Sequence, residues 1–110
     1  MTEPRRAAER VETADVVVAD NPAQSRYEAR LGERVVGVVE YEIADDAGPI
    51  TFTHTEVVPE AEGLGIGSRL ARAALDDVRA RGLRLISDCP FISAYLKRHP
   101  ADADLVIAAD

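Results

Sequence analysis

Apolar and polar residues alternate through the first half of the chain and then change to a helical period near residue 66. Val16-Val17-Val18 is the first apolar run, closed by the turn chemistry of Asp20-Asn21-Pro22. Arg26 to Leu31 alternates with period two, Gly32-Glu33 supplies a hairpin turn, and Arg34 to Ile43 continues as a long strand. Gly37 interrupts that strand and predicts a bulge or bend there. Asp45-Asp46-Ala47-Gly48-Pro49 is a turn, and Ile50 to Val58 is the next strand, which completes an antiparallel meander.

From Gly67 onward the spacing of Leu70, Ala71, Ala74, Leu75 and Val78 defines one buried helix face. Arg69, Arg72, Asp76, Asp77, Arg79 and Arg81 occupy the other, with Arg72–Asp76 and Asp77–Arg81 spaced as i,i+4 pairs. Arg81-Gly82 stops the helix with a cation and a residue tolerant of positive φ. Leu83 to Ser87 then reads as a short strand, parallel to residues 50–58 through a right-handed crossover. Pro90 suits the first turn of a second helix with Cys89 as its N-cap, Pro100 ends it near Arg98, and Leu105-Val106-Ile107 reads as a last edge strand. Residues 1–12 are polar and expected to be flexible, leaving 13–110 as one α+β domain.

Composition narrows the function. The chain has 110 residues and a net charge of −7, which disfavours a nucleic-acid partner. Its single cysteine excludes an internal disulfide and a cysteine-based metal site, and no metal is expected. No apolar run reaches the roughly 20 residues of a membrane span, and the N-terminal arginines lack the apolar stretch of a secretory signal. A cytoplasmic protein with no membrane partner is the expectation.

The segment His54-Thr55-Glu56-Val57-Val58-Pro59-Glu60-Ala61-Glu62-Gly63-Leu64-Gly65-Ile66-Gly67-Ser68 carries the chemistry. A strand runs through a glycine-rich loop directly into a helix start, a construction that offers backbone N–H groups to an anion such as phosphate. It is not a P-loop, because Gly67 is followed by Ser68-Arg69 rather than Lys and Ser or Thr. Nor does it fit a dinucleotide fingerprint, because single residues separate the glycines and a β meander precedes them.

What remains resembles the acetyl-CoA loop of the GCN5-related N-acetyltransferases. The likeness rests on Val57-Val58-Pro59-Glu60 and Glu62-Gly63-Leu64-Gly65-Ile66-Gly67-Ser68-Arg69-Leu70. It extends to His54-Thr55-Glu56-Val57, to Cys89-Pro90-Phe91 and to Tyr95-Leu96-Lys97-Arg98-His99-Pro100, as in a short acetyltransferase-like subfamily. The resemblance implies a minimal fold of that family: the meander, a strand–helix–strand unit and a short C-terminal helix. It implies acetyl-CoA as co-substrate, held by Val57, Val58, Glu62, Gly63, Leu64, Gly65, Ile66, Gly67, Ser68 and Arg69. The reaction it implies is acetyl transfer to an amine, on a small molecule or on a protein or peptide lysine. An acetyl-CoA-binding module with little catalysis is the alternative, because the tight turn at 32–34 leaves no helices to shape an acceptor site.

Glu62 departs from the family pattern, which has Arg or Gln there; Arg69 or Arg72 would supply compensating charge. Cys89, at a helix start, is either a thiolate nucleophile, opposed by the neighbouring Asp88, or a buried inert thiol. By the resemblance Tyr95 protonates the departing thiolate; otherwise it is a packed aromatic. His54 and Glu56 share a strand face and are candidate bases if that face lines the acceptor cleft. The chain is expected to be a monomer or a weak homodimer.

Overall fold

A computed structural model describes residues 15–45 and 47–109; the expected flexible segment 1–12 lies outside them. Six strands form one sheet in the order β1 to β6: β1 Val17–Asn21, β2 Arg26–Leu31, β3 Arg34–Ile43, β4 Ile50–Val57, β5 Leu85–Ser87 and β6 Val106–Ala109. The first four pair antiparallel, whereas β4–β5 and β5–β6 pair parallel. Helices α1, Ile66–Ala80, and α2, Pro90–Arg98, form the two crossovers. Strand order advances in one direction through both crossovers, so right-handed connections bring the helices to the same face of the sheet. There the Arg72 guanidinium of α1 lies over the Tyr95 ring of α2, and the Phe91 ring touches Gly67. The architecture is α+β.

The core lies between this face and α1. Ile66, Leu70, Ala71, Ala74, Leu75 and Val78 are buried on the helix, against Val36, Val39, Ile50, Phe52 and Leu85 of the sheet. Each large aliphatic side chain so buried contributes roughly 1.5–3 kcal/mol. The predicted i,i+4 pairs form on the outer side of α1, Arg72–Asp76 at 3.0 Å and Arg81–Asp77 at 3.2 Å. Beside them Tyr27 donates its hydroxyl to Asp77 at 2.6 Å, and Tyr41 donates to Asp20 at 2.7 Å. Burial and these carboxylates push both phenols above the ordinary tyrosine range.

Two local readings are corrected. β1 continues through Asp20 and Asn21, where a turn was expected, because both side chains are tied into the sheet: Asp20 accepts from Tyr41 and Asn21 donates to Glu28 at 3.0 Å. The irregularity predicted at Gly37 falls on its neighbour. Ala29 pairs with Gly37 and Arg30 with Val35, so Val36 is the extra residue. Gly37 is small for a different reason, since a β-carbon there would lie 3.0 Å from Leu70 Cδ1 and 3.1 Å from Ile66 Cγ2. A side chain there would press on both, so the glycine gives α1 room to cross β3 closely.

A second bulge shapes β4. His54 pairs with Glu40 and Phe52 with Tyr41, which leaves Thr53 without a partner on β3. Its hydroxyl donates to the Glu40 carbonyl at 3.2 Å and fixes the distortion. The extra residue shifts the alternation, so Ile50, Phe52, Thr55 and Val57 face the helices while His54 and Glu56 face away. Pairing of β4 with β5 ends at the same level, Phe52 opposite Ser87, followed by one last bond from Asp88 N–H to Phe52 O at 2.9 Å. Beyond it the two chains separate.

Candidate active site

The separation between β4 and the chain leaving β5 opens beside the start of α1. After β4, a single 3₁₀ turn at Pro59–Ala61 reverses the chain, anchored by the fully buried Ala61. An ion pair from Arg34 to Glu60 at 2.7 Å pins the turn to β3 and holds the Glu60 carboxyl below its ordinary range. Gly63 and Gly65 then take positive φ, 82° and 80°, a conformation that side chains strain against. Gly65 is the N-cap of α1 and provides no side-chain acceptor; the first helical bond is Arg69 N–H to Gly65 O at 3.0 Å. The N–H groups of Ile66, Gly67 and Ser68 therefore have no intrahelical acceptor, and no acidic residue occupies the first turn. The positive end of the helix dipole is left for an anion.

A cavity of about 280 Å³ fills this corner. Its lining combines Glu62, Gly63, Gly65, Gly67 and Ser68 of the loop and helix start with Thr55, Val57, Ala61, Ile66 and Phe91. At Gly67 a β-carbon would come within 2.8 Å of Phe91 Cζ. Such a lining suits a diphosphate joined to an apolar, amide-bearing arm. β4 offers that arm a strand edge, because beyond Phe52 it has no strand partner on its β5 side among the described residues.

Of the residues expected to hold the co-substrate, Val57, Glu62, Gly63, Gly65, Ile66, Gly67 and Ser68 line this cavity. Val58 instead lines a groove with Val38 and Pro59, and Leu64 is exposed outside the cavity lining. Arg69 donates to the Val16 carbonyl at 3.0 Å and lies beside Val18 and Asp76. Arg72 grips buried Asp102 with two bonds of 2.9 Å, an arrangement that lowers the Asp102 carboxyl from its ordinary range. Neither arginine lines the cavity to offset Glu62.

Cys89 is the N-cap of α2 but does not cap it with its side chain. The thiol is 1% exposed and lies 3.2 Å from the Thr55 hydroxyl, so it sits behind a residue that lines the cavity. Its carbonyl is clamped by the Ser87 hydroxyl at 3.2 Å and by Ser93 N–H at 2.9 Å, and the two serine hydroxyls meet at 2.8 Å. Tyr95 is 4% exposed, stacked on the His99 ring at 3.9 Å and covered by Arg72. It is not a lining residue. His54 and Glu56 lie on the opposite face with their side chains 55% and 71% exposed, 3.5 Å apart.

The structure adds Thr55, Ala61 and Phe91 to the site. Thr55 could have been reached only by knowing that the alternation of β4 shifts at Thr53. Phe91 sits within the noted Cys-Pro-Phe segment, but nothing in that segment alone marked its ring as part of the lining.

Residues 26–105 match the sequence profile of the GCN5-related N-acetyl-transferase domain. The chain belongs to that family and is an acetyltransferase by class. Its fold is similar to the NMR solution structure of a GCN5-like protein from Staphylococcus aureus, with a TM-score of 0.64 and 19% identity over 89% of this chain and 94% of that one. No curated protein matches the chain significantly.

Proposed function

We propose that the protein transfers an acetyl group from acetyl-CoA to a primary amine, borne by a small molecule or by a lysine of a protein or peptide. The observation that carries this reading is the single cavity that joins uncapped N–H groups at the start of α1 to an apolar slot along the open edge of β4. The N–H groups of Ile66, Gly67 and Ser68 hold the diphosphate, and Val57 and Phe91 flank the arm. The donor supplies an activated acyl carbonyl. The amine nitrogen forms a bond to that carbonyl as the carbon–sulfur bond breaks, and the proton lost by nitrogen is taken up by the departing thiolate or by solvent.

Two routes share this site. In one the amine attacks directly; in the other Cys89, reached past Thr55, first carries the acetyl group as a thioester. Among the described residues Glu62 is the only titratable side chain of the lining, which favours acceptors that arrive already neutral or lose their proton to water.

Mass spectrometry after incubation with acetyl-CoA and a panel of amines tests the proposal. Acetylated amine is the expected product, and acetyl found on the Cys89 peptide selects the second route. Donor binding without acetylation of any amine would return the reading to a binding module. Absence of binding at millimolar donor would sink both.

A further inference from the structure

We infer that the acceptor is a lysine side chain of a protein or peptide, collected in a groove on the sheet face turned away from the helices. This rests on the proposed transfer to an amine and chooses between the two kinds of acceptor it allows. Strand register builds that face. Glu40 pairs with Arg26 on β2 and with His54 on β4, and Val38 pairs with Glu28 and with Glu56. Residues directly opposite each other point to the same side, so all six share the face away from α1 and α2. A groove of about 270 Å³ lies here, where Val35, Val38 and Val58 form part of the lining together with Arg26, Glu40 and Glu56.

The charges of the groove are not balanced. Arg26 gives its Nε to buried Glu28 at 2.8 Å, and Arg30 closes on the same carboxylate at 2.9 Å. Glu40 has no ion pair among the described residues, and Glu56 has only His54, at 3.5 Å, which counts when the ring is protonated. Diagonal neighbours on adjacent strands stand about 7–8 Å apart, near enough for one ammonium to serve both carboxylates. The valines suit the aliphatic stem that carries it. A free alkylamine has the same two parts, but a small-molecule site encloses most of its ligand. With both helices on the far side, this groove holds one side chain and cannot surround a molecule. The rest of the contact must come from a larger body lying across the sheet.

The route to the donor is short. Glu56 stands between Thr55 and Val57, which line the donor cavity, and Val57 lines the groove as well. Beyond Phe52, β4 has no strand partner on its β5 side among the described residues. A side chain resting at Glu56 therefore reaches the cavity around the free edge of β4 without passing through a paired sheet.

The test is an NMR titration of isotope-labelled protein with the peptide acetyl-Ala-Val-Lys-Val-Ala-amide, with its norleucine analogue and with n-butylamine. The lysine peptide is expected to shift amides of β3 and β4 around Glu40 and Glu56, and the norleucine peptide to bind about fivefold more weakly. Both glutamates are exposed, so Glu40→Gln/Glu56→Gln should stay folded and bind the lysine peptide about fivefold more weakly. Its affinity for acetyl-CoA, followed by calorimetry, should match wild type. No shift on this face, equal affinity in the variant, or equal affinity of the norleucine peptide overturns the inference. So does n-butylamine binding as tightly as the peptide, which would make the acceptor a small molecule. Absence of acetyl-CoA binding by wild type would instead overturn the proposed function, and the inference with it.

Discussion

The Thr55 hydroxyl lies 3.2 Å from the Cys89 sulfur, and these residues come from two stretches whose strand pairing has already ended. Thr55 lines the cavity while Cys89 is buried behind it, so on the proposed acetyl-Cys89 route the hydroxyl would stand between the thiol and the donor. A single hydrogen bond of this kind contributes about 1 kcal/mol, a factor of roughly five. Thr55→Val is therefore expected to slow acetyl incorporation at Cys89 about fivefold or more, with Thr55→Ser restoring it. Quenched mass spectrometry gives the rates; equal rates for all three proteins would show that the hydroxyl plays no part.

Gly67 and Phe91 form a sterically matched pair. In a helix, Gly→Ala ordinarily stabilises by about 1 kcal/mol. Here the methyl would meet the ring at 2.8 Å, and overpacking of that kind costs about 1–3 kcal/mol. Gly67→Ala is expected to destabilise wild type but to stabilise Phe91→Ala. Urea denaturation of the four proteins measures the coupling, and a substitution that acts alike in both backgrounds would rule the contact out.

Glu62 lines the cavity, without an arginine among the described lining residues to offset it. A solvated carboxylate near a diphosphate costs on the order of 1 kcal/mol. Glu62→Gln should tighten acetyl-CoA binding roughly fivefold, with a smaller gain at high salt. Weaker binding by the variant would mean that the diphosphate lies elsewhere.

Acid stability should depend on Glu28. Its buried carboxylate accepts from Asn21 at 3.0 Å, Arg26 at 2.8 Å and Arg30 at 2.9 Å, and these bonds, Asn21 foremost, lower its pKa to about 2. Because the folded value lies below the unfolded one, the stabilisation is complete above the ordinary glutamate range, near 4.5, and is lost as pH falls toward 2. Glu28→Gln is expected to be less stable than wild type at pH 7, with the difference shrinking between pH 5 and pH 2. A difference that stays constant across this range would remove Glu28 as the cause.

Much of this molecule can be read from residue spacing, where one strong local signal decides. The hairpin at Gly32-Glu33, the buried face of α1 and the proline-started α2 all follow from local chemistry. What escapes is whatever depends on pairing between strands. Nothing in Val36 or Thr53 marks either as an extra residue, since both types are ordinary in strands and only the register of a neighbour leaves them over. The 3₁₀ turn Pro100–Leu105 escapes for a related reason: Asp102 is held there by Arg72, thirty positions earlier. The order of strand, glycine loop and helix start was legible in residues 54–68, whereas Thr55 and Phe91 became visible as lining only once β4 and α2 were brought together.

The unpaired Thr53 has a consequence for how this site could be lost. Removing that one residue would leave Ile50, Phe52, Thr55 and Val57 on the same side and restore regular alternation. The core would keep every side chain it now buries, yet the straightened strand could continue along β5 and zip the slot shut. A Thr53 deletion is thus expected to melt at or above the wild-type temperature while binding no donor, which calorimetry and a thermal melt would reveal together. On the proposed function, a protein shorter by a single threonine would be a sound fold with nowhere to put its substrate.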